Sequence, residues 1–116
     1  GVLCLTCGVD TQGNRLEYEV VGYGFHEENW GIEKGIIMGD PAENDTWERL
    51  DGVIDRSYSF ADSKKLKISV TFVDSGGNRT QEVYEQCNKR LHKRVFAIKG
   101  KICIISQKSK YSKGKR

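Results

Sequence analysis

Two short apolar runs, each followed at once by an aspartate, constrain the fold of this chain more than any other feature. VLCLTCGV occupies residues 2–9 and precedes Asp10, and LKISVTFV occupies residues 66–73 and precedes Asp74. The first run is apolar at nearly every position and predicts a strand buried on both faces of a sheet, and the second is rich in β-branched and aromatic residues, which indicates a strand as well. We therefore expect two interior strands that each carry a carboxylate at the carboxyl end.

The segment between the two runs predicts two further strands and a helix. After the turn TQGN, residues 15–25 begin by alternating apolar and polar side chains, which indicates a strand with one wet face in a hairpin with the first strand. Residues 30–39 indicate a third strand that ends before Asp-Pro. Asp45 or Thr46 is a suitable N-cap for a helix with its apolar residues on one face.

The remainder of the chain adds a helix and a strand. Residues 80–91 have helical spacing, with Val83, Tyr84 and Cys87 as the inner stripe, and residues 94–100 form a short strand. The order β-β-β-α-β-α-β predicts an α/β fold with a mixed sheet, antiparallel at first and parallel later, and helices packed on the sheet faces. Ligands of open α/β sheets gather at the carboxyl ends of central strands, where both aspartates fall.

Composition indicates a single globular domain, because 37% of the 116 residues are hydrophobic and 30% are charged. We assign residues 1–100 to this domain and residues 101–116 to a short apolar segment with a basic tail. The chain has no run of about 18 apolar residues and no signal sequence, so we expect a cytoplasmic protein without a membrane partner. The net charge is only +3, but residues 89–116 contain no acid. This asymmetry favours a polyanionic partner, although a solvated tail is an equally simple explanation.

The pair Cys4 and Cys7 has the spacing of many metal sites, but its context favours a different role. Residues three apart in a strand point to opposite faces, and a zinc site needs about four ligands in a tetrahedral arrangement. The two histidines, His26 and His92, are far apart in the sequence and lie in no cluster. We therefore interpret the cysteines as reduced, small apolar core residues.

The two aspartates predict an oxygen-ligated metal. Two carboxylates at neighbouring strand ends repel one another unless a divalent cation lies between them. Oxygen ligands suit Mg²⁺ or Mn²⁺, and paired ions can activate water and stabilise the leaving oxygen in phosphodiester cleavage. The sequence thus suggests a metal-dependent nuclease with Asp10 and Asp74 as catalytic metal ligands. The alternative is a purely structural role, in which each aspartate only caps a turn or a helix.

The segment after Asp74, SGGNRT, predicts a close approach to phosphate. Gly76 and Gly77 allow backbone N–H groups to approach an anion before the following helix. The segment lacks the Lys-Ser/Thr ending of a P-loop, so nucleotide binding there is weakly supported.

Four motifs in order resemble a known family. GVDTQGNRLEYEVVGYGFHEENWGIEKGIIMGDP, TWERLD, VDSGGNRTQEVYE and RVFAIKG are similar to the nuclease domain of the lambda-type phage terminase large subunit, over residues 2–100. The resemblance implies an RNase H-like fold, also found in retroviral integrases. It also implies a two-metal site that uses Mg²⁺ or Mn²⁺ to cut concatemeric double-stranded DNA during genome packaging.

Carried over to this chain, the resemblance makes Asp10 of the G-V-D motif and Asp74 of the D-S-G-G motif the metal ligands. DNA contacts are expected from basic residues and glycines near the motifs, namely Lys99, Lys101, Arg79, Gly76 and Gly77. In the parent protein the partners implied are an N-terminal ATPase domain, the small terminase subunit and the portal.

Two departures from the family pattern leave other functions open. The family places a third acid on a later helix, and nothing after Gly100 resembles that motif. ATPase motifs are also missing from these residues. The resemblance therefore implies an incomplete metal site with weak or no cleavage by this chain alone. The alternatives are a catalytically inactive prophage remnant that binds DNA or a packaging partner, and a nucleotide-binding RNase H-like module.

Overall fold

The structure is a mixed sheet with two helices, seen in a computed structural model that describes residues 2–75 and 79–98. Within these residues the strands are β1 (Val2–Thr11), β2 (Arg15–Gly24), β3 (Asn29–Met38), β4 (Ser57–Ser59), β5 (Lys65–Asp74) and β6 (Val95–Ile98). The helices are α1 (Asn44–Ile54) and α2 (Thr80–Lys89). Neither helix has the length and apolar character needed to cross a membrane.

The sheet is antiparallel on one side and parallel in its centre. The strand order is β3-β2-β1-β5-β4, and β6 also pairs with β5. β1, β2 and β3 are antiparallel neighbours, whereas β5 is parallel to both β1 and β6. The predicted mixed α/β fold is confirmed. The predicted element order lacks β4, a three-residue strand that lies in the polar segment 56–65 and pairs with the beginning of β5.

The two faces of the sheet differ in burial. Leu5, Cys7 and Val9 of β1 are at most 4% exposed, whereas Thr6 and Gly8 between them are half-buried. Apolar side chains of both helices belong to the same buried cluster as Leu5, Cys7 and Val9. Both helices therefore cover one face, because successive strand residues point to opposite sides. The prediction that β1 is buried on both faces, with helices packed on the sheet faces, is wrong for the described residues, because both helices lie on one face.

The helix-covered face holds a core centred on α1. Trp47 and Leu50 are fully buried, and the Trp47 indole donates a hydrogen bond to the Pro41 carbonyl at 2.8 Å. The predicted N-cap is wrong, because α1 begins at Asn44 and no capping side-chain hydrogen bond precedes it. Thr46 is instead buried in the first turn, where its hydroxyl donates to the Asp40 carbonyl at 2.9 Å.

Arg90, just after α2, links that helix to α1. Its guanidinium group contacts the two oxygens of Asp51 at 2.7 and 3.0 Å and the Gln86 side chain at 2.7 Å. Gln86 is 7% exposed and lies on the buried side of α2, whereas Tyr84 is 42% exposed. The predicted inner stripe is therefore wrong at Tyr84. The link fixes the end of α2 against α1 and the core.

Candidate active site

The two aspartates predicted from the sequence lie side by side. Asp10 and Asp74 are register partners across the parallel pair β1 and β5, at the carboxyl end of each strand. The preceding pair, Val9 and Val73, is also in register and is buried on the helix-covered face. The aspartates therefore point to the other face of the sheet, which we call the second face. Because neighbouring strands are about 4.8 Å apart, their carboxylates are in position to share a ligand.

The surroundings orient the first of these carboxylates. Gln12 donates a side-chain hydrogen bond to Oδ2 of Asp10 at 2.8 Å, and the Gln12 backbone N–H closes the β1–β2 turn on the Arg15 carbonyl at 2.9 Å. Asp74 retains 9% exposure, and the following Ser75 retains 5%. The Ser75 hydroxyl lies 3.4 Å from the Thr80 hydroxyl at the start of α2. The pair thus combines one half-buried carboxylate with one that is nearly buried.

A third carboxylate, Glu17, lies next to the pair and was missed by the sequence reasoning. It is the register partner of Asp10 in the antiparallel pair β1 and β2, so it points to the second face as well. Its Oε2 lies 2.6 Å from Nε of Arg15. The signal that would have found Glu17 is the hairpin register, which depends on the length of the turn between β1 and β2.

The donors fit a cation that retains much of its water. Among residues 2–75 and 79–98, no group of three or more His, Cys, Asp or Glu side chains is placed to hold a metal ion. Mg²⁺ is commonly bound through one or two carboxylates and keeps several waters, so Asp10 and Asp74 meet its minimum requirement. Glu17, held by Arg15, is not arranged as a third ligand.

Arg79 lies at the same end of the sheet and acts as a link between loops. Its Nη2 is 3.3 Å from the Gly13 carbonyl and 3.3 Å from Oδ1 of Asp40, and its Nη1 is 3.5 Å from Oε2 of Glu82. Arg79 therefore joins the start of α2 to the β1–β2 turn, and its contact with DNA stays a prediction. Four other predicted DNA contacts lie outside the described residues, namely Gly76, Gly77, Lys99 and Lys101.

The cysteines that the structure describes play no part in this candidate site. Cys4 and Cys7 point to opposite faces of β1, as the strand alternation predicts. Cys7 is 1% exposed in the core, and burial raises the pKa of its thiol to about 12. Cys87 is also buried, and burial likewise raises its pKa to about 12. Cys7 and Cys87 are thus core residues as predicted, whereas Cys4 is only half-buried.

Comparisons with known proteins identify the family to which the chain belongs. The family model for the terminase large subunit gpA endonuclease domain matches residues 1–116. The terminase large subunit of Enterobacteria phage P21 is 39% identical over 99 residues, and that of Escherichia phage lambda is 38% identical over 99 residues. Each match covers 85% of this chain and only 15% of the relative. A search of solved structures gave no significant match. The chain therefore belongs to the endonuclease-domain family of the gpA terminase large subunit.

Proposed function

We propose that this domain is a metal-dependent endonuclease domain that cuts concatemeric double-stranded DNA during phage genome packaging. The observation that carries the proposal is the register pairing of Asp10 and Asp74 at the carboxyl ends of two parallel strands. Family membership supplies the context of a terminase large subunit. The parent protein would act in the cytoplasm of the bacterial host, together with an ATPase domain, a small terminase subunit and the portal.

An RNase H-like fold is part of the proposal. It is supported by three consecutive antiparallel strands, β1 to β3, followed by a strand, β5, that lies parallel to β1. In this arrangement the two interior strands end at the same edge of the sheet. Residues 10 and 74, which are far apart in the sequence, are therefore register partners on adjacent strands at that edge.

In the proposed chemistry the carboxylates of Asp10 and Asp74 are ligands of Mg²⁺ or Mn²⁺. Two adjacent carboxylates, one of them nearly buried, repel one another, and a divalent cation would offset that repulsion. Such an ion, when bound, activates water and stabilises the leaving oxygen of a phosphodiester. The Gln12 amide donates to Oδ2 of Asp10 and so limits the rotation of that carboxylate. Holding ligands in one orientation is the usual role of such outer contacts around a metal.

Isothermal titration of the chain with Mn²⁺ tests the proposal without depending on cleavage. We expect saturable binding by the unmodified chain and its loss in Asp10→Asn and in Asp74→Asn, since each change removes a negative ligand but keeps the side-chain size. Asp45→Asn is the matched control, because Asp45 lies on α1 with its side chain 78% exposed. Equal binding by all four proteins would contradict the assignment of Asp10 and Asp74 as ligands.

A second candidate function, an inactive remnant that binds DNA, is favoured by one observation. Among the described residues, no three His, Cys, Asp or Glu side chains are grouped so that they could hold a metal ion. The remnant would bind DNA through its basic segment 89–116, which has no acid. It predicts no heat with Mn²⁺ but measurable, salt-sensitive binding to duplex DNA.

A further inference from the structure

Arg15 is a cation on the second face, close to the carboxylate pair. It begins β2 and lies two residues before Glu17, so both side chains are on the same side of the strand. Glu17 is in register with Asp10, and the Arg15 carbonyl accepts the Gln12 N–H. The Arg15 side chain is therefore located beside the end of β1 where the carboxylates lie.

The guanidinium group of Arg15 is held in place, but only some of its N–H donors form hydrogen bonds with described residues. Its Nε lies 2.6 Å from Oε2 of Glu17, and its Nη1 donates to Oδ1 of Asn14 at 2.8 Å. An arginine has five N–H donors, and no described group accepts a hydrogen bond from Nη2 of Arg15. The side chain is 34% exposed. A planar group with fixed orientation and unused donors at the surface suits a phosphate, which takes two parallel N–H bonds.

The acidic side chains near Arg15 explain why a cation is needed there. Asp10, Asp74 and Glu17 form a row of three acids across β5, β1 and β2, which would repel a DNA backbone. A cation next to the row offsets that repulsion. We propose that Arg15 contacts a DNA phosphate beside the phosphodiester presented to Asp10 and Asp74. This role rests on the proposed nuclease function, since it places DNA at the same carboxylates.

Arg79, the other arginine at this end of the sheet, is less suited to that contact. Its guanidinium lies between the carboxylates of Asp40 and Glu82 and also contacts the Gly13 carbonyl. Two acids already compensate its charge. Arg15 has one acidic neighbour and a neutral amide, so more of its hydrogen-bonding capacity remains for a ligand.

Binding of the 116-residue chain to a short fluorescent DNA duplex, measured by anisotropy in EDTA over a range of salt concentrations, tests the proposal. We expect Arg15→Gln to weaken binding and to make the slope of log K against log salt less steep by about one, as for loss of one phosphate contact. Arg15→Lys should keep the slope but bind more weakly, because lysine lacks the planar fork. Lys65→Gln is the matched control for loss of one charge, at the opposite end of β5.

Three results would overturn the proposal. They are an unchanged slope in Arg15→Gln, an equal change in Lys65→Gln, and no DNA binding by the unmodified chain at low salt. Urea midpoints check that each variant is folded. Mn²⁺ binding separates this inference from the proposed function, since Arg15→Gln should keep the Mn²⁺ titration that Asp10→Asn loses. An unchanged salt slope in Arg15→Gln, together with Mn²⁺ binding that Asp10→Asn abolishes, would show that only this inference has failed. A less steep slope in Arg15→Gln, together with no Mn²⁺ binding by the unmodified chain, would show that the proposed metal site has failed.

Discussion

The replacement Thr71→Val is predicted to stabilise the domain. Thr71 of β5 is fully buried on the helix-covered face, in register with Cys7 of β1 and Val95 of β6. Its hydroxyl has no hydrogen-bond partner among the described residues. Valine has nearly the same shape and places a methyl group where the hydroxyl now lies. The change therefore removes an unfavourable interaction without removing a contact.

The magnitude follows from the cost of an unpaired buried hydroxyl. Protein mutational data place that cost at roughly 1–3 kcal/mol, so we expect the free energy of unfolding to rise by about 1–3 kcal/mol. Thr46→Val is the matched control, because Thr46 is 1% exposed but its hydroxyl donates to the Asp40 carbonyl at 2.9 Å. That variant should lose about 1 kcal/mol, since a hydrogen bond is removed and an acceptor is left.

Urea unfolding followed by far-ultraviolet circular dichroism measures both effects. The midpoint should rise in Thr71→Val and fall in Thr46→Val, with the slope m unchanged in both because the surface exposed on unfolding is the same. A lower midpoint for Thr71→Val, similar to that of Thr46→Val, would refute the reasoning. It would mean that the Thr71 hydroxyl has a hydrogen-bond partner in solution.

Two further predictions concern charged contacts. Arg90→Ala should lower the free energy of unfolding by about 3 kcal/mol, as measured by urea unfolding. This is the lower end of the range for a broken buried ion pair, because the Asp51 side chain is 22% exposed. A loss below about 0.5 kcal/mol is typical of an exposed ion pair and would contradict a buried link. Hydrogen bonding from Tyr18 and pairing with Arg56 hold the pKa of Glu33 below its usual value. A lowered folded-state pKa stabilises the fold above the unfolded-state pKa of about 4.3, and this stabilisation is lost as pH falls through the folded-state value. Glu33→Gln should therefore show a smaller fall in thermal midpoint between neutral and acidic pH, and an unchanged pH profile would contradict the role of this group.

The sequence was sufficient to predict the relation between Asp10 and Asp74. Both follow strand-like runs, and parallel interior strands bring their carboxyl ends to one edge of the sheet. The polar neighbours of the pair were not predictable in the same way. Glu17 and Gln12 reach Asp10 through the hairpin register and a side-chain rotamer, and the alternation of residues alone determines neither.

The errors in the predicted fold have physical causes. Ser57–Ser59 has only one large apolar side chain, so its pairing with β5 comes from the hairpin and not from a hydrophobic pattern. β1 has apolar residues on both of its sides, although only one side is covered by the described helices. The sequence pattern of such a strand is the same as that of a strand covered on both faces. Tyr84 has the spacing of a core residue, but Gln86 lies inward because it accepts a hydrogen bond from the buried Arg90. Arg90 is in turn held by Asp51 of α1, and this tertiary contact overrides the helical pattern there.

Paramagnetic broadening of backbone amide signals by Mn²⁺ tests most directly whether Asp10 and Asp74 bind one metal together. In the nitrogen-15-labelled chain, signals of residues 9–12 and 73–75 should broaden first. Signals of residues 65–67 should stay sharp, because seven to nine residues of β5 place them about 23–30 Å from Asp74. Asp10→Asn should abolish the broadening at both strand ends. Broadening centred elsewhere, or broadening near Asp74 that persists in Asp10→Asn, would contradict a shared metal site.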